Sequence, residues 1–264
     1  MVDSLTCASG FPISKQIPNQ NFKTTKTSYE PYTKYYITNI LNTDYMITFH
    51  IITLFPDILK DYANGSILGR AQKNKKINIV FTNPRDFAKD THKKADDKAY
   101  GGGPGMVMKA EPILRAVQRV VGNKKSKSII LAADGKQFTN GYAQKLSKEQ
   151  KNIVLIAGHY EGIDERVRKI LKAEKISVGP YIVTGGELPA MMIVDAVARQ
   201  VPGVLGKEES IEEKRIASGE VYTRPETFAF KKKKYRVPKV LLSGDHKKII
   251  AWQKAHRRTP RPYI

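Results

Sequence analysis

Cysteine is nearly absent from this chain of 264 residues, in which Cys7 is the one example. A single thiol excludes disulfide bonds within the chain and zinc sites built from several cysteines. The five histidines show no spacing typical of metal ligands, so the sequence predicts no metal site. The chain also lacks a secretory signal pattern and an apolar run long enough to cross a bilayer, which favours a cytoplasmic protein.

Acidic residues are scarce relative to basic ones, with 25 Asp and Glu against 46 Lys and Arg and a formal net charge of +21. So much charge of one sign favours a polyanionic partner, and nucleic acid before a membrane surface. The excess is densest in residues 206–264, where 16 Lys and Arg stand against 7 Asp and Glu. Because aromatic residues are interleaved with this charge, we predict an RNA-binding module there. A solvated lysine-rich loop is the alternative.

Apolar runs of strand length alternate with stretches of helical periodicity in the middle of the chain. This alternation predicts an α/β domain with a mainly parallel sheet. The predicted strands include residues 47–55, 77–81, 128–133 and 153–157, and the predicted helices begin near Pro56 and include 111–121, 142–146 and 188–201. Residues 1–45 have no sustained apolar period and are predicted to be a disordered extension, in preference to an RNA-contacting arm. Residues 207–221 are charged and irregular, and are predicted to be a linker.

Glycines punctuate residues 152–206 at the ends of the predicted elements. The apolar run at 153–157 ends at Gly158, and a second run at 176–183 is followed by Gly185 and Gly186. Glycine at such places lets the backbone adopt positive φ or lets a ligand touch the main chain. The pattern predicts a small-molecule site at the carboxyl ends of parallel strands, built mostly from loop backbone. Ordinary turns at strand ends are the alternative.

Three motifs in this region carry a resemblance to a known family. They are Gly-His-Tyr-Glu-Gly-Ile-Asp-Glu-Arg from Gly158, Thr-Gly-Gly-Glu-Leu-Pro-Ala-Met from Thr184, and Val-Pro-Gly-Val-Leu-Gly from Val201. In this order they resemble the bacterial tRNA (guanine-N1)-methyltransferase family, TrmD, which belongs to the trefoil-knotted SPOUT methyltransferases. The resemblance runs from about Met46 to about Pro262.

The resemblance implies a fold, a reaction and partners. A knotted α/β domain over residues 46–206, with helices flanking a mainly parallel sheet, would bind S-adenosyl-L-methionine. A small basic helical domain over residues 222–264 would grip tRNA. The expected reaction is methyl transfer to N1 of the guanosine 3′ to the anticodon, position 37, by a homodimer with sites at the subunit interface. Magnesium dependence is also expected, although no residue of the chain marks a site.

The resemblance also implies individual site residues. Asp96, beside the glycine-rich loop at 101–105, would help to hold the target guanosine, whereas a flexible linker is the alternative for that loop. Arg199 matches the family's catalytic arginine, which stabilises negative charge on guanine O6. Asp195, one helical turn earlier, would support it, and a surface ion pair is the alternative. The donor would contact Gly158, Val178, Gly179, Pro180, Tyr181, Ile182 and Val183, with Leu131, Gly185, Gly186 and Pro189 nearby.

The general base is the point at which the sequence departs from the family. The family carries Ser-x-x-Glu-Asp-Ser-Phe, and Lys214 here occupies the aspartate position. Because lysine is protonated at neutral pH unless desolvated, we predict Glu213 as the base, with Glu212 in reserve. Solvated linker charges are the alternative. The changed motif keeps two rival functions open: another SPOUT RNA methyltransferase with a different target, and a tRNA-binding protein that has lost catalysis.

Pro180 is a second departure, since it replaces the aspartate usual in the family's donor loop. Proline removes both a charge and a backbone donor from that loop. For His159, next to Gly158, a packed role in the donor loop is favoured over titration at the site.

Overall fold

A parallel sheet of five strands lies at the centre of the fold. The computed structural model describes residues 46–205 and 220–256. The sheet is built from β1 (Ile47–Ile52), β2 (Ile77–Thr82), β5 (Lys127–Gln137), β6 (Asn152–Ala157) and β7 (Glu174–Ser177). The strand order is β2-β1-β6-β5-β7, and all neighbouring strands run parallel. The α/β class and the mainly parallel sheet are therefore confirmed, and the trefoil knot stays a prediction of the resemblance.

Helices cover both faces of this sheet because successive strand residues point in opposite directions. Phe49 and Ile51 pack on one face, and Ile52 packs on the other. Four helices lie against the first face: α1 (Asp57–Asn64), α2 (Ser66–Lys73), α4 (Asn140–Glu149) and α6 (Glu187–Ala198). The second face is covered by α3 (Ala110–Val121) and α5 (Glu165–Leu171). Strands buried on both faces account for the continuous apolar runs in the sequence.

Two segments differ from the predicted elements. Strand β5 continues beyond residue 133 to Gln137, because Leu131 and Lys136 both pair with Ile176 and the residues between them form a bulge. The apolar run at 176–183 is a strand only as far as Ser177, and the remainder is a loop. Val178 in this loop still packs against the core, whereas the large side chains of Tyr181, Ile182 and Val183 remain exposed.

The polar segment after β2 is ordered by short elements. A 3-10 helix covers Pro84–Phe87, and β3 (Asp96–Asp97) pairs antiparallel with β4 (Val107–Met108). The glycine-rich loop joins these two strands, and Gly101, Gly102, Gly103 and Gly105 have φ of 88°, 80°, 113° and 81°. Positive φ explains why glycine occurs at these positions, so the loop is a defined connection between paired strands.

Residues 220–256 contain a hairpin as well as helices. The hairpin consists of β8 (Thr227–Phe230) and β9 (Lys233–Arg236), followed by α7 (Lys239–Leu242) and α8 (His246–Ala255). The Asp245 carboxylate caps α8 by accepting hydrogen bonds from the Lys247 and Lys248 amides. The helices of this region are as predicted, whereas the hairpin was not predicted from the sequence.

Several predictions fall on parts of the chain that are not described. The extension at 1–45, Glu212, Glu213, Lys214 and nearly all of the linker at 207–221 lie outside the described residues. Within the described ranges, no helix has the length and apolar character needed to cross a membrane.

Candidate active site

A cleft with a cavity volume of about 610 Å³ opens at the carboxyl ends of β5, β6 and β7. This is the edge at which ligands bind in open α/β sheets. Of the predicted donor-binding residues, Gly158, Val178, Tyr181, Ile182 and Val183 line the cavity, as do the neighbours Leu131, Gly185, Gly186 and Pro189. Gly179 and Pro180 belong to the same loop, where Gly179 is buried and Pro180 is exposed. The structure thus brings most of the predicted donor set together around one cavity.

Two turns at the cleft, one at Gly158 and one at Gly185 and Gly186, contact each other through their backbones, and we call them the glycine corners. The Gly186 amide donates a hydrogen bond of 2.8 Å to the Gly158 carbonyl oxygen. A Cβ added to Gly186 would lie 2.7 Å from the Ala157 Cα and 2.7 Å from the Gly158 nitrogen. No side chain fits between the corners, so glycine at 186 is required by close packing as well as by any ligand.

Buried Glu187 links these corners to the first strand. The side chain is 4% exposed, and its Oε1 accepts a hydrogen bond of 2.7 Å from the Thr53 hydroxyl. Its Oε2 lies 3.0 Å from Nε2 of His159. The packed role predicted for His159 agrees with this contact and with its edge-on packing against the Phe55 ring, 4.9 Å between centroids. Sequence analysis missed Glu187, although a glutamate that opens an otherwise apolar helix was a signal for it.

The glycine-rich loop is attached to the wall of the cleft. The Glu161 amide donates to the Met106 carbonyl at 3.0 Å, and the Met108 amide donates to the Gly162 carbonyl at 2.9 Å. Val107 lines the cavity beside this attachment. Asp96 is half-buried opposite Met108 in the β3–β4 pair and does not itself line the cavity. The structure therefore places the predicted guanosine-binding aspartate next to the cleft.

The mouth of the cleft has a mixed but mainly acidic lining. Its charged residues are Asp134, Glu161, Asp164, Glu165, Arg168 and Lys175. A hydrogen bond from Lys175, with Nζ 3.0 Å from Oδ2, lowers the pKa of Asp134. Hydrogen bonds from Arg166 likewise lower the pKa of Asp164. Arg168 also pairs with Glu165, so three of the four carboxylates are matched by a basic side chain and the mouth carries little net charge.

Arg199 lies at the end of α6 that is remote from the cleft. The helix begins beside the glycine corners and spans twelve residues, so it is about 18 Å long. Arg199 caps its carboxyl end and is not among the described residues that line the cavity. The Asp195 carboxylate, predicted to support Arg199, accepts a hydrogen bond of 2.6 Å from the Tyr62 hydroxyl. Within one chain, the structure thus separates the predicted catalytic arginine from the predicted donor site.

One stripe of α6, exposed at its start and half-buried at its end, leads from the cleft to this arginine. At spacings of four, three and four residues, the stripe carries Leu188, Met192, Asp195 and Arg199. Leu188 and Met192 are 61% and 42% exposed, and on neighbouring α1 Ile58 and Tyr62 are 67% and 55% exposed. We call these six residues, four on α6 and two on α1, the α6 stripe. Apolar side chains so exposed and so close together are typical of a protein interface.

The described ranges contain no group of three or more His, Cys, Asp or Glu side chains arranged to hold a metal ion. The predicted base, Glu213, lies outside those ranges, so the structure places Arg199 and the donor residues but not the base.

Comparison with known proteins identifies the family. Residues 47–261 match the family described as tRNA (Guanine-1)-methyltransferase TrmD. The chain is 50% identical to the tRNA (guanine-N(1)-)-methyltransferase of Carboxydothermus hydrogenoformans over 208 residues, which are 77% of this chain and 80% of that protein. Identity to the enzyme of the same name from Clostridium tetani is 46% over 78% of this chain and 84% of that protein. For Pseudoalteromonas atlantica it is 44% over 81% of each chain. The chain therefore belongs to the TrmD family of tRNA (guanine-1)-methyltransferases.

Proposed function

We propose that the protein transfers a methyl group from S-adenosyl-L-methionine to N1 of guanosine 37 in tRNA. The observation that carries the proposal is the glycine-cornered cleft at the carboxyl ends of β5–β7, in a chain that matches the family over residues 47–261. Curated relatives across several organisms bear the name of this activity.

The cleft suits the methyl donor in size and in its backbone lining. A volume of about 610 Å³ lies within the usual range of small-molecule sites. The backbone amides and carbonyls at Gly158 and in the loop at 178–183 can hydrogen-bond an adenine edge, and Tyr181 is the one polar side chain that this loop adds to the lining. When bound, this donor supplies an electrophilic methyl group on sulfur.

Arg199 and an acidic residue would act on the guanine. Loss of the N1 proton places negative charge on O6, which the Arg199 guanidinium would stabilise. Glu213 would accept the N1 proton, and Glu212 is the reserve candidate. Asp96 and the glycine-rich loop beside the cleft would help to hold the base.

A homodimer would bring Arg199 to a donor cleft. Because a helix of about 18 Å separates Arg199 from the cleft of its own chain, we propose that each arginine serves the cleft of the partner subunit. The α6 stripe supports this arrangement, since its exposed apolar residues extend from the cleft to Arg199 and would be covered in a dimer.

The first experiment is incubation with labelled donor and unmodified tRNA, followed by mapping of the product. N1-methylguanosine at position 37 is the expected result. Label at another nucleotide would favour a different SPOUT methyltransferase, and tRNA binding without transfer would favour a protein that has lost catalysis. Loss of turnover in Glu213→Ala but not in Lys214→Ala would identify the base.

Complementation between variants tests the shared site. Arg199→Ala is expected to lower kcat by about 10²–10³-fold, and Gly186→Val is expected to block the cleft. If Arg199 acts on the partner's cleft, mixed dimers of the two inactive variants contain one intact site and recover activity. Failure of mixed dimers to recover activity, with each subunit folded, would contradict the arrangement.

Two further predictions come from the family resemblance. A cytoplasmic location is expected and is tested by cell fractionation. A requirement for Mg²⁺ is expected and is tested by assay after removal of metal with a chelator. Methylation that continues unchanged without divalent cations would exclude the requirement for Mg²⁺.

A further inference from the structure

The β8–β9 hairpin presents an unusually open aromatic face. Phe228 and Tyr235 are paired in register, and their rings stack with centroids 5.4 Å apart and planes at 19°. Phe230, two residues after Phe228, projects from the same face. These three side chains are 55%, 45% and 58% exposed, although aromatic rings are normally buried in a core. Every residue of both strands is exposed, so the hairpin contributes nothing to a core of its own.

The turn of the hairpin holds two lysines in an unfavourable backbone conformation. Lys231 and Lys232 have φ of 48° and 63°. Two central residues with positive φ form the type I′ turn, in which Asn-Gly is the preferred pair because these residues tolerate left-handed φ. Lysine lacks this tolerance. The turn therefore keeps two positive charges at its tip despite the conformational cost.

Charge near this tip has one sign. Lys231, Lys232, Lys233, Lys234 and Arg236 fall within six residues, and residues 227–236 include no Asp or Glu. The Lys231 ammonium lies 5.6 Å from the centroid of the Phe230 ring. The hairpin thus combines an aromatic face with a concentrated cationic tip.

From these features we infer that the hairpin is an RNA-contacting element, which stacks unpaired nucleobases of the tRNA on Phe228, Phe230 and Tyr235 and holds backbone phosphates at Lys231 and Lys232. Flat rings accept any base by stacking, and lysines beside them neutralise phosphates. Unpaired loop nucleotides are the part of a folded RNA whose bases are free to stack on protein. The inference rests on the proposed function, because it takes tRNA as the substrate.

Two variants separate the aromatic and the cationic contributions. Phe228→Ala/Tyr235→Ala is expected to weaken tRNA binding about 5- to 150-fold for each base that is stacked, with the salt dependence of binding retained. Lys231→Asn/Lys232→Gly gives the turn its preferred residues, so the hairpin keeps its shape while losing two charges. This variant is expected to reduce the slope of log K against log salt by about 1.4, as expected for two contacts to single-stranded phosphates.

Two control variants change residues outside the proposed RNA-contacting surface. Lys75→Asn removes an exposed lysine that also has positive φ, 54°, but lies between α2 and β2. Thr227→Ala alters the opposite face of the hairpin. Neither control is expected to change tRNA affinity. In steady-state assays the hairpin variants should raise KM for tRNA while leaving kcat and KM for S-adenosyl-L-methionine unchanged.

The outcomes distinguish this inference from the proposed function. If the wild-type protein neither binds nor methylates tRNA, the proposed function fails. If the wild-type protein methylates tRNA and both hairpin variants keep its KM for tRNA and its salt slope, the hairpin inference is overturned. It is equally overturned if the aromatic variant changes the oligomeric state, since a second copy would then cover that face. If Phe228→Ala/Tyr235→Ala does not fold, Lys231→Asn/Lys232→Gly still tests the inference.

Discussion

Glu187 occupies a position in which a charge is costly unless it is paired. Its carboxylate is buried at the start of α6 and contacts both the Thr53 hydroxyl and His159. The start of a helix favours negative charge, and two hydrogen-bond partners offset the loss of solvent. Because Gly185 and Gly186 precede it directly and His159 follows Gly158, this one side chain fixes both corners of the donor cleft.

Replacement of Glu187 should affect donor binding more than the chemical step. Glu187→Ala leaves the buried Thr53 hydroxyl without an acceptor, at a cost of about 1–3 kcal/mol, and removes the contact that holds the partly exposed His159. We expect reduced stability in denaturant and a higher KM for the donor, whereas Glu187→Gln, which keeps the shape, should recover much of the stability. Exposed Glu149→Ala is the control. Unchanged stability and KM in Glu187→Ala would show that the contacts do not position the corners.

His50 makes stability depend on pH. It is 6% exposed on β1, with Nε2 3.4 Å from the Asn152 oxygen. Its pKa is lowered from 6.5, mainly because burial disfavours the imidazolium and to a lesser degree because of Lys124. The unfolded chain therefore takes up the proton first as pH falls, and the free energy of unfolding should decrease below about pH 6.5.

Denaturant unfolding at pH 8 and pH 5.5 measures this effect. The wild-type protein should lose stability between the two values, and His50→Leu should lose less, because it has no group to protonate at this position. Equal pH dependence in both proteins would rule out His50 as the source.

At the scale of elements, the cleft depends on how closely two loops approach. The loop after β6 and the loop before α6 meet through the Gly186–Gly158 hydrogen bond, with no space for a side chain at 186. The bulge of β5 and the attached glycine-rich loop complete the surrounding wall. Because these backbone segments enclose the cavity, a small displacement of any of them would change the shape of the cavity.

Two glycine substitutions should have opposite effects on stability. Gly186→Ala places a methyl group 2.7 Å from backbone atoms and should destabilise by about 1–3 kcal/mol, with loss of donor affinity. Gly141→Ala lies at an exposed position of α4, where the atom nearest to the added methyl group is 3.9 Å away, and should stabilise by about 0.4–1 kcal/mol. Thermal unfolding and donor titration measure both. A stable Gly186→Ala variant with normal donor affinity would contradict the close packing inferred here.

At the scale of the whole molecule, the fold of one chain does not bring Arg199 to the cleft. The α6 stripe lies on the side of the sheet covered by α1 and α6, and the length of α6 separates Arg199 from the cleft of the same chain. The homodimer proposed above would cover the exposed apolar area on this side and bring Arg199 to the cleft of a partner subunit.

A charge placed in the α6 stripe should therefore abolish both dimerisation and catalysis. In Met192→Lys we expect a mass in solution near that of one 29.7 kDa chain, compared with twice that for the wild-type protein. Turnover should fall together with the mass, because each cleft loses the partner's arginine. Ile170→Lys on α5 is the matched control, since it is 63% exposed but belongs to the helix layer on the opposite face of the sheet. A fully active Met192→Lys monomer would refute the shared site.

The sequence by itself determined the fold class and the glycines at the strand ends, and it pointed to most of the residues that line the cleft. Apolar runs such as 153–157 and glycines such as Gly158 and Gly186 are local patterns, and local patterns follow from backbone geometry and burial. The hairpin at 227–236 was missed because its turn uses two lysines where Asn-Gly would signal a hairpin.

Only the tertiary structure decided which distant residues meet. Thr53 and Glu187 are 134 positions apart, and their contact depends on α6 packing beside β1 and β6. The separation of Arg199 from the cleft follows from the direction and length of one helix in the assembled fold. Periodicity identifies the exposed face of a helix, but the packing of the other elements determines what lies at each of its ends.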